Sequence, residues 1–276
     1  MALLGTRLYL GLDASAVTAA ALPVGLGRRR VQGFVRVPLA PGALAPSPSG
    51  PNLLRGDEVR EAVRRASAEL GGGRATLVLP DGVARIALVD LPAGADPSDF
   101  VRFRLAMSLP WPASEAIVDA LPAGRGRAVG AAVRRATVVE YEQAASAAGL
   151  AIERVHLAPL LALEGLMRSG ARDAVHVVLG DVAWCLAPFH GGVPASLRSR
   201  RRDRSPGEAG RLLDEASRAA LAAGGNGAGP ARLVVSGSEA ARLRQEIEGL
   251  AEPGLAGPGE GLPGPAEAAW VGGLVA

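Results

Sequence analysis

The sequence predicts an α/β protein of two related lobes, each built on a mixed sheet, with a small α+β module lodged in the first. Three observations predict it. Apolar strands double back on themselves in "LYLGLDASAVTAAAL", residues 8–22, and again in "AVHVVLGDVAWCLAPF", residues 174–189. Both hairpins are followed by a helix, a strand and a helix, so the halves share one plan. Between Leu91 and about Val155 that plan is interrupted by the order helix, strand, strand, helix. The expected divisions are 1–90 for the first lobe, 91–155 for the inserted module and 156–276 for a reduced second lobe with a C-terminal helix.

Taken in order, "RLYLGLD", "VTAAALPV" and "RVQGFVRVPL" read as strands, and the Pro/Ser/Gly stretch Pro41 to Gly56 as a flexible loop. A helix is expected from Asp57 to Leu70, because Val59, Ala62, Val63, Ala66 and Leu70 recur at helical spacing. "ATLVLP" is a short buried strand. In the module, "DPSDFVRFRLAMSL" is a helix that Asp96 and Pro97 announce and Pro110 ends. Its Phe100, Phe103 and Met107 lie on one stripe, whose default place is the core. "AIVDALPAG" and "RAVGAAVRRA" follow as strands, then a helix, "VVEYEQAASAAG", closed by Gly149.

Beyond the module, "AIERVHL" is a strand and "APLLALEGLMRSG" a helix; the next strands turn near Gly180 and again at His190 to Gly192. A helix from Pro206 to Ala223, the strand "RLVVSG" and the helix "SEAARLRQEIEG" complete the second plan. Ala251 to Pro265 reads as loop. The apolar "AEAAWVGGLVA" is a short helix that has to dock on something.

Composition narrows the chemistry. The 276 residues are 49% apolar and 21% charged, which suits a folded chain. All 30 cationic side chains are arginine, against 27 acids, for a net charge of +3. So small an excess does not point to nucleic acid. Absence of lysine removes a Walker A loop, Schiff-base chemistry and a pyridoxal phosphate site. A single cysteine, Cys185, can form no internal disulfide or cysteine-rich zinc cluster. No secretion signal or uninterrupted apolar span of about 18 residues is read, so a cytoplasmic protein is expected. His156, His176 and His190 lack metal-binding spacing, "GGNGAG" at 224–229 follows a helix rather than a strand, and Ser236 has no base in view. Structural roles are expected for all of these. The run Arg198 to Arg204 holds five arginines and reads as a solvated loop, with an acidic partner or lipid headgroups as the sharper alternative.

Several segments, in order, resemble the PilM family of type IV pilus assembly proteins, within the actin-like (ribonuclease H-like) ATPase superfamily. "FVRFRLAMSLPWPASEAIVDA" is similar to the family's amphipathic helix, then an apolar residue, Pro, an aromatic and Pro (Leu109, Pro110, Trp111, Pro112), then a strand ending in an acid, Asp119. "AAVRRATVVEYEQAASAAGLAIERVHLAPLLALEGL", the opening "LGLD", the glycine turn in "LVVSGSEA" and the closing "AWVGGLVA" also resemble family segments.

In such folds each half supplies a hairpin whose tip cradles phosphate through backbone N–H groups, with an acid that positions metal or water. The resemblance places that site at Asp13, Ser15, Gly180, Asp181 and Gly237. It is degenerate: the first turn has no glycine or lysine, and strand alternation would aim Asp181 to the face opposite its neighbour. The family's small helical lobe over the adenine is reduced to one arginine-rich loop and one helix. No cofactor is therefore expected, ATP and Mg being those the family would imply, and hydrolysis is disfavoured.

The resemblance also implies a partner, the short cytoplasmic N-terminal peptide of a PilN-type inner-membrane protein, received in the groove between module and first lobe. Phe100, Phe103, Met107 and Trp111 are the candidate contacts. Trp111 between two prolines fits equally an exposed anchor and a cap on the module's core. The expected protein is a scaffold held at the inner-membrane face through that partner, with self-association open. An ATP-dependent switch of the same fold and a GspL-type cytoplasmic domain of type II secretion are the rivals.

Overall fold

The computed structural model describes residues 5–24, 30–169, 173–224, 231–248, 255–260, 265 and 268–275. The first hairpin is β1 (Thr6–Leu12) and β2 (Ala16–Pro23), to which β3 (Gly33–Pro38) adds antiparallel. Helix α1 (Gly56–Ala68) buries Val59, Ala62, Val63 and Ala66, the i, i+3, i+4, i+7 face read from the sequence. β4 (Arg74–Leu79) then runs parallel to β1. The segment Pro41 to Gly56 is not the loose loop its composition suggested. Buried Asn52 accepts the Ser47 N–H, and its own N–H and that of Leu53 reach the Glu140 carboxylate at 2.8–3.0 Å.

A strand that the sequence reading left unassigned, β5 (Ala84–Asp90), opens the inserted module. Helix α2 (Pro97–Ala106) begins at Asp96, whose carboxylate accepts the Asp99 N–H at 3.0 Å, with Pro97 in the first turn. β6 (Ala116–Gly124) and β7 (Arg127–Arg134) complete an antiparallel sheet in the order β5-β7-β6. One face of this sheet carries α2; Ile86, Val129, Ala131 and Val133 on the other join the first lobe's core.

Helix α3 (Arg135–Ala147), expected in the module, belongs instead to the first lobe, as does β8 (Ala151–Leu157), the strand read just beyond it. β8 pairs parallel with β4 to give the order β3-β2-β1-β4-β8, while Val138, Tyr141 and Ala145 of α3 enter the same core as α1. The module therefore runs from β5 to β7 rather than over 91–155. β5 finds its partner more than forty residues downstream, Ala84 opposite Val133, which no local pattern announces.

Helix α4 (Ala158–Arg168) leads to the second lobe. There β9 (Ala174–Leu179) and β10 (Ala183–His190) form the second hairpin, extended by β11 (Val193–Pro194) and β12 (Arg198–Arg201). The arginine run is thus largely a strand. Helix α5 (Glu208–Gly224), β13 (Ala231–Gly237), α6 (Ala240–Glu248) and β14 (Leu255–Glu260) follow, with β9, β13 and β14 parallel. β14 falls where loop was expected; as an edge strand it accommodates Pro258 opposite Leu233. The Gly-rich stretch 225–229 lies outside the described residues.

The last helix, α7 (Ala269–Val275), answers the docking question. Trp270, Val271 and Leu274 pack with Tyr9, Ala20, Leu22 and Val78 on the first lobe's sheet. Conversely Ala162, Leu163 and Leu166 of α4 pack with Val178, Cys185, Ala187 and Phe189 of the second. Where α4 and α7 cross their backbones touch: a Cβ on Gly165 would lie 2.4 Å from the Gly273 Cα, and one on Gly273 2.1 Å from the Leu161 carbonyl oxygen. Only glycine fits at both positions.

Candidate functional site

The two hairpins have the same turn. The Asp13 N–H closes on the Ala16 carbonyl at 3.0 Å, and the Gly180 N–H on the Ala183 carbonyl at 2.9 Å. In the sequence reading Asp181 belonged to a strand and faced away; it sits in the turn, where strand alternation does not apply, and it aims across the cleft. Its carboxylate accepts the Ser15 N–H at 2.8 Å, while its own N–H donates to the Asp13 carboxylate at 3.3 Å. The Ser238 hydroxyl donates to it at 3.1 Å, and the Arg204 guanidinium stands 3.7 Å away. Ser238 follows Gly237, whose φ of +105° and 2.1 Å clearance from the Leu179 carbonyl exclude a side chain. All five residues assigned to the cofactor site by resemblance therefore converge on one place.

A sixth residue joins them that the sequence reading missed. Asp81 lies just after β4 in a short 3₁₀ turn, Asp81–Val83, and is buried. Its carboxylate packs so closely on Gly180 that a Cβ there would meet Oδ1 at 2.8 Å. That Oδ1 has no hydrogen-bond partner. Burial pushes the Asp81 carboxyl up to about 7, with the Asp181 charge adding to the rise and backbone N–H groups and Arg202 opposing it. Burial, then Asp181 and Asp81, likewise hold the Asp13 carboxyl well above the usual carboxylate range. The only cue was an acid in "LPDG" at a strand end, a motif that ordinary surface turns share.

Behind the second turn lies a buried arginine. Arg202 meets Glu208 with two parallel N–H bonds at 2.9 Å, donates to Glu239 at 2.8 Å and to the Gly180 carbonyl at 3.0 Å. Its side chain is 1% exposed. It ties together the hairpin, the first turn of α5 and the start of α6. Arg198 and Arg200 on β12 both pair with Glu215, so much of the supposed solvated run is bound within the lobe.

These groups, as they stand, do not fit an adenine nucleotide with its metal. The turn amides of Ser15 and Asp181 are taken by carboxylates, three acids, Asp13, Asp81 and Asp181, border the space beside Arg36 and Ser238, and the cavity between the tips holds about 70 Å³. Pockets for ligands of that size occupy roughly 300 Å³ or more. Among the described residues no group of three or more His, Cys, Asp or Glu is disposed to hold a metal ion.

The candidate partner residues part company. On α2 the buried face is Val101 and Leu105, set against Gly130 of β7, where a Cβ would lie 2.4 Å from Val101. Phe100 is half-buried, whereas Phe103 and Met107 are 62% and 77% exposed. The expected core-facing stripe is thus an outward one, with the Phe100 and Phe103 rings 6.5 Å apart. Trp111 is buried rather than an exposed anchor, and its Nε1–H has no hydrogen-bond partner. Among the described residues no helix is long and apolar enough to cross a membrane.

Neither a protein-family model nor a curated protein matches the chain. Solved structures do. The chain is similar to a PilM–PilN type IV pilus biogenesis complex, at 18% identity and a TM-score of 0.68 over 92% of this chain and 88% of that one. It is also similar to a Bacteroides thetaiotaomicron protein of actin-like ATPase fold and unknown function, at 10% identity and a TM-score of 0.64 over 99% and 96%. A third likeness is to the cytoplasmic domain of EpsL, an inner-membrane component of the Vibrio cholerae type II secretion system, at 12% identity and a TM-score of 0.59 over 98% and 95%. The fold is the actin-like ATPase fold.

Proposed function

We propose that this actin-like chain is a nucleotide-independent platform of a type IV pilus or related secretion machine. It docks the cytoplasmic N-terminal tail of a PilN-type inner-membrane protein, which holds it at the membrane's inner face. The observation that carries the docking half is the outward apolar ridge formed by Phe103 on α2 and Met107 at its C-terminal end, with Arg102 and Arg104 flanking it. Large apolar side chains left in water on a helix that already has a buried face suit a partner's peptide. The likeness to a structure in which PilM is assembled with PilN supports that partner, and the EpsL likeness supports the secretion alternative.

The docking test is capture by the N-terminal peptide of a co-encoded single-span membrane protein. Phe103→Asp is expected to weaken capture at least about tenfold, the cost of putting a charge into an apolar contact. Undiminished capture would place the docking surface elsewhere. For the nucleotide half, calorimetric titration with Mg-ATP is expected to show no binding in the micromolar range, because the turn amides already have partners. A micromolar isotherm would favour an ATP-dependent switch.

A further inference from the structure

Turn amides at the tip of a β-hairpin attract anions, because successive N–H groups point outward with little else to meet. In this chain the anion presented to the first hairpin is a side chain of the second. Asp181 reaches Ser15 across 166 residues of sequence, and returns its own N–H to Asp13. Ser238 and Arg204, both from the second lobe, hold the same carboxylate from behind. Gly82 fits against this turn as well: a Cβ there would lie 2.5 Å from Val182.

We infer that Asp181 is a counter-ligand that the chain carries for its own cleft, a latch that keeps the two lobes closed with no bound nucleotide. A charge-assisted hydrogen bond from an N–H to a carboxylate is about twice as strong as a neutral one. Since the carboxylate is covalently part of the chain, its concentration at the site is fixed and closure does not depend on a solute. Arg202 steadies the latch through the Gly180 carbonyl, one residue before Asp181. The inference rests on the nucleotide-free half of the proposed function. Its test contains no nucleotide, so the two can fail separately.

The experiment is a distance measurement between spin labels at Met107→Cys on the inserted module and Leu221→Cys on α5. Both native side chains are exposed, while Cys185 is buried and unreactive. With Asp181 in place a single closed distance is expected. Asp181→Ala is expected to raise the open, longer-distance population at least about tenfold, as loss of one such bond implies. Asp181→Asn, which keeps an acceptor for Ser15, is expected to fall between. Identical distributions in all three proteins would overturn the latch. So would a loss of every defined distance in both variants, which would make Asp181 a residue of general stability.

Discussion

Arg202→Ala is expected to lower the unfolding free energy by about 3–5 kcal/mol, the cost of leaving a buried charge without its partner. Glu208, itself buried, would keep a carboxylate with neither arginine nor water, and the Gly180 carbonyl would lose its donor. In a thermal scan a loss of that size corresponds to a fall of roughly 6–10 °C for a chain of this length. The double variant Arg202→Ala with Glu208→Ala is expected to lose less than Arg202→Ala alone, since the stranded charge goes too. A larger loss in the double variant would show that packing, not charge, is what Arg202 supplies. Arg202→Lys is no substitute, because an ammonium cannot make the two parallel bonds to Glu208 while also reaching Glu239.

Asp81→Asn is expected to stabilise the protein at pH 8 and to leave it unchanged near pH 4. An acid whose folded pKa is raised binds its proton more tightly when folded, so its contribution is complete below the unfolded value and is lost as pH rises through the folded one. For Asp81 that window runs from the ordinary 3.8 to about 7. Three pH units correspond to ~4 kcal/mol at most, because each unit is worth 1.36 kcal/mol. Asparagine carries no charge at any pH and escapes that loss. Urea midpoints for both proteins between pH 4 and pH 8 check it. Parallel curves would mean that the Asp81 carboxylate is ionised comfortably throughout, with Arg202 compensating it.

Much of the fold was legible because its signals are local. Alternation and helical spacing marked α1, β8 and α4, and the paired turns at Asp13 and Gly180 showed the duplicated plan. What escaped was set by distance along the chain. β5 is defined by β7, Asn52 by Glu140, and Arg202 by Glu208 together with the Gly180 carbonyl and Glu239, 22 and 37 residues away, so composition read the last two as loop. Five residues of the candidate cleft were named through resemblance, but Asp81 and the pairing of the two turns with each other were not. Whether an aspartate at a turn faces a ligand or another turn depends on where a second hairpin lies, 168 residues later.

The exchange of helices between lobes bears on how the chain comes to be folded. Tyr9, Leu22 and Val78 are made early in synthesis, but the helix that covers them consists of residues 269–275. The first sheet must therefore wait, that face only partly covered by α4, until residues 269–275 have been made. The inserted module waits for nothing so distant: β5, α2, β6 and β7 find one another within about fifty residues, a short loop to close. The surface proposed for the partner can thus be finished before the molecule that bears it.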